Sequence, residues 1–171
     1  MSSLILPTGP MSPKMPKLST PRRATTMHQA PQAPWRTDEE LEDYKNDPTS
    51  FMLDRCALWR ERIKVFHNWI ITATYYMPDH WDVGGGHKLF RTEKGLDEAL
   101  WQGKTGIVIG KGPLAFRDDD HVKFLGQDIE IGQWVLCDTL DARQFTVDNV
   151  HCRRMKDTQV IGVVDDPTLI Y

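Results

Sequence analysis

The sequence Thr105-Gly-Ile-Val-Ile-Gly-Lys-Gly-Pro-Leu-Ala-Phe116 decides the fold, because it is the first of several short strand-and-turn units that run on to Asp165. Its β-branched run predicts a strand and its Gly-Lys-Gly-Pro segment a turn, since glycine allows positive φ and proline fixes its own φ. The pattern returns over residues 129–138, where Gly132 is predicted to be a tight turn between two strands, and over residues 144–164. Units this short predict a small antiparallel β-barrel or sandwich.

The apolar residues of these strands are predicted to form one core. Its expected members are Ile107, Ile109, Val135, Cys137, Val147, Val150, Ile161 and Val163. The three cysteines of the chain have no metal-ligand spacing, and they are expected to be reduced thiols in the core rather than disulfides.

Two helices are predicted ahead of the strands, over residues 37–62. Thr37 and Glu40 have the spacing of a capping box, and Asp47-Pro48 begins the second helix with proline at its first position. Along the second helix an apolar stripe recurs at helical spacing, formed by Met52, Cys56, Trp59 and Ile63. This stripe either packs on the protein's own β domain or forms a docking face for another chain.

Residues 1–36 are predicted to be an extended, proline-rich arm. Seven of the eleven prolines precede Trp35, and proline removes backbone donors and disfavours helix. Residues 1–34 carry four basic residues and no acid, a charge of +4, so the rest of the chain carries -3 - 4 = -7. The arm is expected either to be a disordered leader or to lie on a neighbouring subunit. In the second case its contact residues would be Leu4, Ile5, Leu6 and Met11.

The segment over residues 77–90 contains three consecutive glycines and allows three interpretations. A metal site would take its ligands from Asp79, His80, Asp82 and His87, which have no fixed geometry across a triple glycine. A phosphate cradle would need the Lys-Ser/Thr and helix of a P-loop, which are missing. The interpretation we prefer is a flexible loop that binds a partner. Its predicted contact residues are Trp81, Gly84, Gly85, Gly86, His87, Lys88, Leu89 and Phe90.

Four motifs, taken in order, resemble the barrel of the GroES co-chaperonin family. They are Gly106-Ile-Val-Ile-Gly-Lys-Gly, Ile129-Glu-Ile-Gly-Gln-Trp-Val-Leu, Phe145-Thr-Val-Asp-Asn-Val150 and Val160-Ile-Gly-Val-Val164. The resemblance covers about residues 63–165 and implies a GroES-like antiparallel β-barrel domain over residues 63–171. It also implies that loop 77–90 corresponds to the family's mobile loop. The positions that the family fills with aliphatic residues for chaperonin binding are His87, Lys88, Leu89 and Phe90 in this chain.

Other function classes find little support in the sequence. The chain lacks an apolar run of about 18 residues, so no membrane-spanning helix is predicted, and its apolar start is too short for a signal peptide. No hydrolase or metalloprotease motif occurs, so neither an enzyme nor a cofactor is predicted. The run Asp118-Asp119-Asp120 fits a solvated turn better than a divalent-cation site. Arg153 and Arg154, on an acidic domain, make a poor surface for nucleic acid.

These features predict a non-enzymatic structural or assembly protein. We expect a homo-oligomer or a subunit of a larger assembly, with a bacteriophage particle, put together in the host cytoplasm, as the setting. The alternative is a cytoplasmic GroES-like co-chaperonin that caps a chaperonin ring.

Overall fold

The computed structural model describes residues 33–78, 80–82, 85, 87–92, 94–96 and 103–170. Two helices, α1 (Asp38–Asn46) and α2 (Pro48–Arg60), precede the strands. The strands are β1 (Trp69–Thr74), β2 (His80–Asp82), β3 (Lys88–Phe90), β4 (Thr105–Lys111), β5 (Trp134–Cys137), β6 (Arg143–Val147), β7 (Val150–Lys156) and β8 (Val160–Val164). Short 3₁₀ turns cover Asp157–Gln159 and Pro167–Leu169. The predicted mainly β fold is confirmed.

Both helices begin at the residues that the sequence predicts. The Thr37 hydroxyl accepts a hydrogen bond from the Glu40 amide at 3.2 Å, and the Asp47 carboxylate accepts one from the Ser50 amide at 3.0 Å. The Glu40 carboxylate accepts from the Arg36 amide instead of from Thr37, so only half of the predicted capping box forms. These caps satisfy amides that would otherwise lack partners at each helix start.

Six strands form one antiparallel sheet in the order β6-β7-β1-β4-β5-β8. Strands β1 and β4 are neighbours although residues 75–104 lie between them, so this segment leaves the sheet and returns to it. Within the described residues, the outer strands β6 and β8 do not pair with each other, and the sheet is open. A closed barrel is therefore not formed by the pairing of these strands.

The sheet is covered on both faces, and the prediction of one core is wrong. One cluster joins α2 to the sheet, with Met52, Cys56 and Trp59 packed among residues that include Ile107, Ile109, Val150 and Cys152. The predicted helical stripe thus packs on the protein's own sheet. The other cluster includes Ile70, Val108, Val135, Cys137 and Met155 and is closed by Ala115, Phe116 and Ile129. Neighbouring residues of β1 and β4 divide between the two clusters, so both faces of each strand are buried.

Three local predictions need correction. Ile161 and Val163 are 66% and 49% exposed, because β8 lies at the edge of the sheet. Ile63 lies beyond the end of α2 and is 36% exposed. Gly132 does make a turn, with φ of 97°, but residues 129–131 before it form no strand.

The three cysteines are free and buried, as predicted. Burial raises the pKa of the Cys56 thiol to about 12 and also raises the pKa of Cys137 and of Cys152. These thiols therefore stay protonated at neutral pH, which makes them poor nucleophiles and metal ligands. Among the described residues, no helix is long and apolar enough to cross a membrane.

Candidate partner-binding surfaces

The loop that the sequence singles out contains a short β-hairpin outside the main sheet. Strands β2 and β3 pair antiparallel, with His80 opposite Phe90 and Trp81 opposite Leu89. Gly85 lies between the strands with φ of 65°, a conformation that glycine adopts without strain. Gly84 and Gly86 lie outside the described residues. The hairpin is part of the segment that leaves the sheet between β1 and β4.

One strand of the hairpin is fixed to α1 through a histidine. The His80 side chain is buried, and its Nε2 lies 3.3 Å from the Lys45 Nζ on α1. Lys45 also forms an ion pair with Glu42 at 2.9 Å, which lowers the pKa of that carboxyl. The His80 ring contacts the Phe90 ring, with 5.5 Å between centroids. The hairpin is therefore held by its first strand.

The second strand of the hairpin presents apolar side chains to solvent. Leu89 is 57% exposed and Phe90 is 67% exposed, and His87 and Lys88 beside them are exposed as well. Exposed leucine and phenylalanine next to each other gain energy only when another surface covers them. The predicted contact residues 87–90 thus lie together and are accessible. The backbone of Trp81 pairs with that of Leu89 across the hairpin.

The alternatives for this loop gain nothing from the structure. No group of three metal-ligating side chains comes together in the described part of the chain, and His80 faces a lysine. The predicted contact residues of the arm, Leu4, Ile5, Leu6 and Met11, lie outside the described residues. The described chain starts at Ala33, and Trp35 packs on Tyr44 with 4.9 Å between ring centroids.

A groove that the sequence analysis missed lies between α1 and α2. It has a volume of about 550 Å³ and is lined by Glu40, Asp43, Asn46, Asp47, Ser50, Phe51, Asp54 and Arg55. Four carboxylates and one guanidinium give the lining a charge of 1 - 4 = -3. The acids at positions 40, 43 and 47 have helical spacing and are visible in the sequence. The groove itself cannot be recognised in the sequence, because it depends on how the two helices pack.

The acidic run after β4 is structural. The Asp118 carboxylate accepts hydrogen bonds from the amides of Phe124 and Leu125 at 2.6 and 3.1 Å. Asp119 accepts from the amides of His121 and Val122, both at 2.7 Å, and these bonds lower the pKa of its carboxyl. Both side chains therefore hold a turn, which agrees with the preferred interpretation of this run.

The two consecutive arginines of β7 have opposite surroundings. Arg153 is 1% exposed and donates to the Gly103 carbonyl, and its burial lowers the pKa of its guanidinium. Arg154 is exposed, with its guanidinium carbon 5.0 Å from the centre of the Trp69 ring. The pair therefore does not form a continuous basic surface.

Comparison with known proteins adds no assignment. A scan against models of protein families finds no match to this chain, and a search of curated proteins finds no significant similarity.

Proposed function

We propose that this chain is a non-enzymatic structural or assembly protein that binds neighbouring subunits through its N-terminal arm and through loop 77–90. The observation that carries the proposal is the exposure of Leu89 and Phe90 on a hairpin whose other strand is fixed to α1. Apolar side chains on a hairpin that is already held in place lose little conformational entropy when they dock, which favours binding to a protein surface. We place this activity in a phage particle, in a head or tail component, by analogy with extended arms that lie across neighbouring subunits.

The finer fold assignment belongs to the same proposal. We interpret the six-stranded sheet as a variant of the GroES-like barrel that opens between β6 and β8. Two features support this interpretation: all strand pairs are antiparallel, and the glycine-containing hairpin lies between β1 and β4, where the resemblance places the family's mobile loop. An open edge at β8, with Ile161 and Val163 exposed, leaves room for contacts between subunits.

The same hairpin also favours a second candidate, a co-chaperonin that caps a chaperonin ring. In that case Leu89 and Phe90 would enter an apolar groove of the ring. Lys88 is the difficulty, because burying a charged, unpaired ammonium costs several kcal/mol. Replacing His87 and Lys88 with aliphatic residues should then strengthen capping.

One pair of substitutions tests both candidates. Full burial of a leucine or phenylalanine contributes about 1.5–3 kcal/mol, so covering the exposed fractions, 57% and 67%, contributes roughly 2–4 kcal/mol in total. Leu89→Ser with Phe90→Ser should therefore weaken self-association roughly 30- to 1,000-fold in sedimentation velocity. The control is Leu125→Ser with Leu140→Ser, two leucines that are 82% and 89% exposed elsewhere.

Size-exclusion chromatography with the host chaperonin ring and nucleotide separates the candidates. The assembly proposal predicts no complex for the wild-type protein, whereas a stable complex that the serine pair abolishes would establish the co-chaperonin instead. Self-association that is the same in the hairpin variant and in the control would exclude the hairpin as the subunit contact.

A further inference from the structure

The groove between α1 and α2 contains carboxylates that have no partner among the described residues. Asp43 and Asp54 are exposed, and their carboxylates make no hydrogen bond or ion pair with another described residue. The carboxylates of Glu40 and Asp47, in contrast, accept hydrogen bonds from backbone amides at the helix starts. Two free carboxylates on facing helices therefore remain available to a cationic ligand.

The groove also holds an arginine that lacks acceptors. The Nε and one Nη atom of Arg55 are buried and have no hydrogen-bond partner among the described residues. A buried donor without an acceptor is unfavourable, and a rotation of the Arg55 side chain towards the groove would let a carbonyl oxygen of a ligand accept from it. Phe51, half-buried in the same lining, offers an apolar surface. The groove thus fits a ligand that has cationic side chains, free carbonyl groups and some apolar surface.

The N-terminal arm of this chain has all three properties, because Met15 and Leu18 supply apolar surface between its basic residues. It contains Lys14, Lys17, Arg22 and Arg23 and no acid, so its +4 complements the -3 of the groove. Proline has no amide hydrogen, and an extended proline-rich backbone makes no internal hydrogen bonds, which leaves its carbonyl groups free to accept. We propose that the groove between α1 and α2 binds the basic part of the arm, residues 14–23, of a neighbouring copy of this chain.

Geometry favours a neighbouring copy over the chain's own arm. The described chain starts at Ala33, close to α1, and Arg23 lies ten residues earlier. An arm that is extended, as its prolines predict, covers about 31 Å over ten residues. Helix α1 has nine residues and is only about 14 Å long. An arm that leaves α1 in this extended form would carry Arg23 beyond its own groove and towards the groove of a neighbouring copy.

Charge reversal on either side tests the contact. This inference rests on the proposed function, and it names the surface that receives the arm. Asp43→Lys with Asp54→Lys in the groove, or Arg22→Glu with Arg23→Glu in the arm, should each weaken self-association of the full chain about tenfold or more at low salt. The control is Glu39→Lys with Glu61→Lys, two exposed acids outside the groove lining, the first on α1 and the second directly after α2. Circular dichroism and thermal unfolding check that each variant is folded.

Mixing the two reversed proteins gives the decisive result. Each associates poorly alone, but in the mixture the wild-type arm of the groove variant meets the wild-type groove of the arm variant, so association should return through this contact. Failure of the mixture to recover, or a wild-type protein that stays monomeric, would overturn the inference. Deletion of residues 1–34 separates it from the proposed function. If deletion abolishes association while the groove variant behaves as wild type, the arm binds a surface other than the groove. If deletion changes nothing, the arm has no role in assembly.

Discussion

Acid should destabilise this protein through one buried histidine. His151 on β7 is 3% exposed, and its backbone amide donates to the Tyr76 hydroxyl at 3.1 Å. Burial, and then the positive charge of Arg153, lower the pKa of His151 from 6.5 to about 4. Between these two values the unfolded chain binds a proton that the folded protein does not bind. Stability is therefore present above pH 6.5 and is lost as the pH falls towards 4.

The size of the effect follows from the two pKa values. Their difference, 6.5 - 4, gives a loss of about 2 kcal/mol by pH 5 and about 3 kcal/mol by pH 4. Carboxyl groups with lowered pKa, such as Asp47 and Asp119, have ordinary pKa values of 3.8. They therefore contribute to the loss of stability mainly below the pH values at which His151 does. Glu42, whose ordinary pKa value is 4.5, also contributes at the lower end of the interval between pH 4.5 and 6.5, so the histidine contribution is the difference between the wild type and a variant without this histidine.

Urea unfolding at several pH values in this interval measures the slope of stability against pH. His151→Gln removes the titrating group, so its slope should be flatter than that of the wild type by about 2 kcal/mol over the interval. Any loss at pH 7 cancels, because only slopes are compared. His121→Gln, on an exposed loop, controls for the removal of a histidine. Equal slopes for the wild type and His151→Gln would refute the assignment.

Two further substitutions test the packing. The buried Tyr44 hydroxyl donates to the Tyr76 carbonyl and accepts from its amide, both at 2.9 Å, so Tyr44→Phe should cost about 1–3 kcal/mol in urea unfolding. A loss below 0.5 kcal/mol would mean that water replaces these bonds. A Cβ at Gly112 would lie 2.2 Å from the His67 carbonyl oxygen, whereas one at Gly162 meets nothing within 4 Å. Gly112→Ala should therefore lower the melting temperature markedly and Gly162→Ala should not; equal effects would contradict the close contact.

Local features of the fold could be predicted from the sequence because they depend on neighbouring residues. The caps at Thr37 and Asp47, proline at the start of α2 and the turn at Gly132 are set within a few positions along the chain. The stripe on α2 was predicted correctly as apolar, and the structure shows that it packs on the sheet of the same chain. Helix spacing gives such a face but does not say what covers it.

Strand order was not predictable in this way. The segment Val160–Val164 has the composition of a buried strand, yet β8 lies at the edge because it pairs with β5 on one side and with no described strand on the other. Arg153 has the opposite outcome: it resembles a surface residue in sequence and is buried, whereas Arg154, the next residue of the same inner strand, is exposed. Both outcomes follow from pairings between residues far apart in sequence. The groove between α1 and α2 was also missed, because it depends on the angle at which two consecutive helices pack and has no sequence motif of its own.

The two proposed contact surfaces share one support, the aromatic cluster of Trp35, Tyr44 and Tyr76. Trp35, where the arm joins the folded chain, has its ring centroid 4.9 Å from that of Tyr44 and 6.0 Å from that of Tyr76. Tyr44 holds α1, which lines the groove, and its hydroxyl binds the backbone of Tyr76, just after β1, where the chain turns towards the hairpin. Lys45, the next residue of α1, contacts the hairpin through His80. A displacement of α1 would therefore move the groove and the hairpin together, so an arm bound in the groove, as we propose, would stabilise the position from which Leu89 and Phe90 are presented.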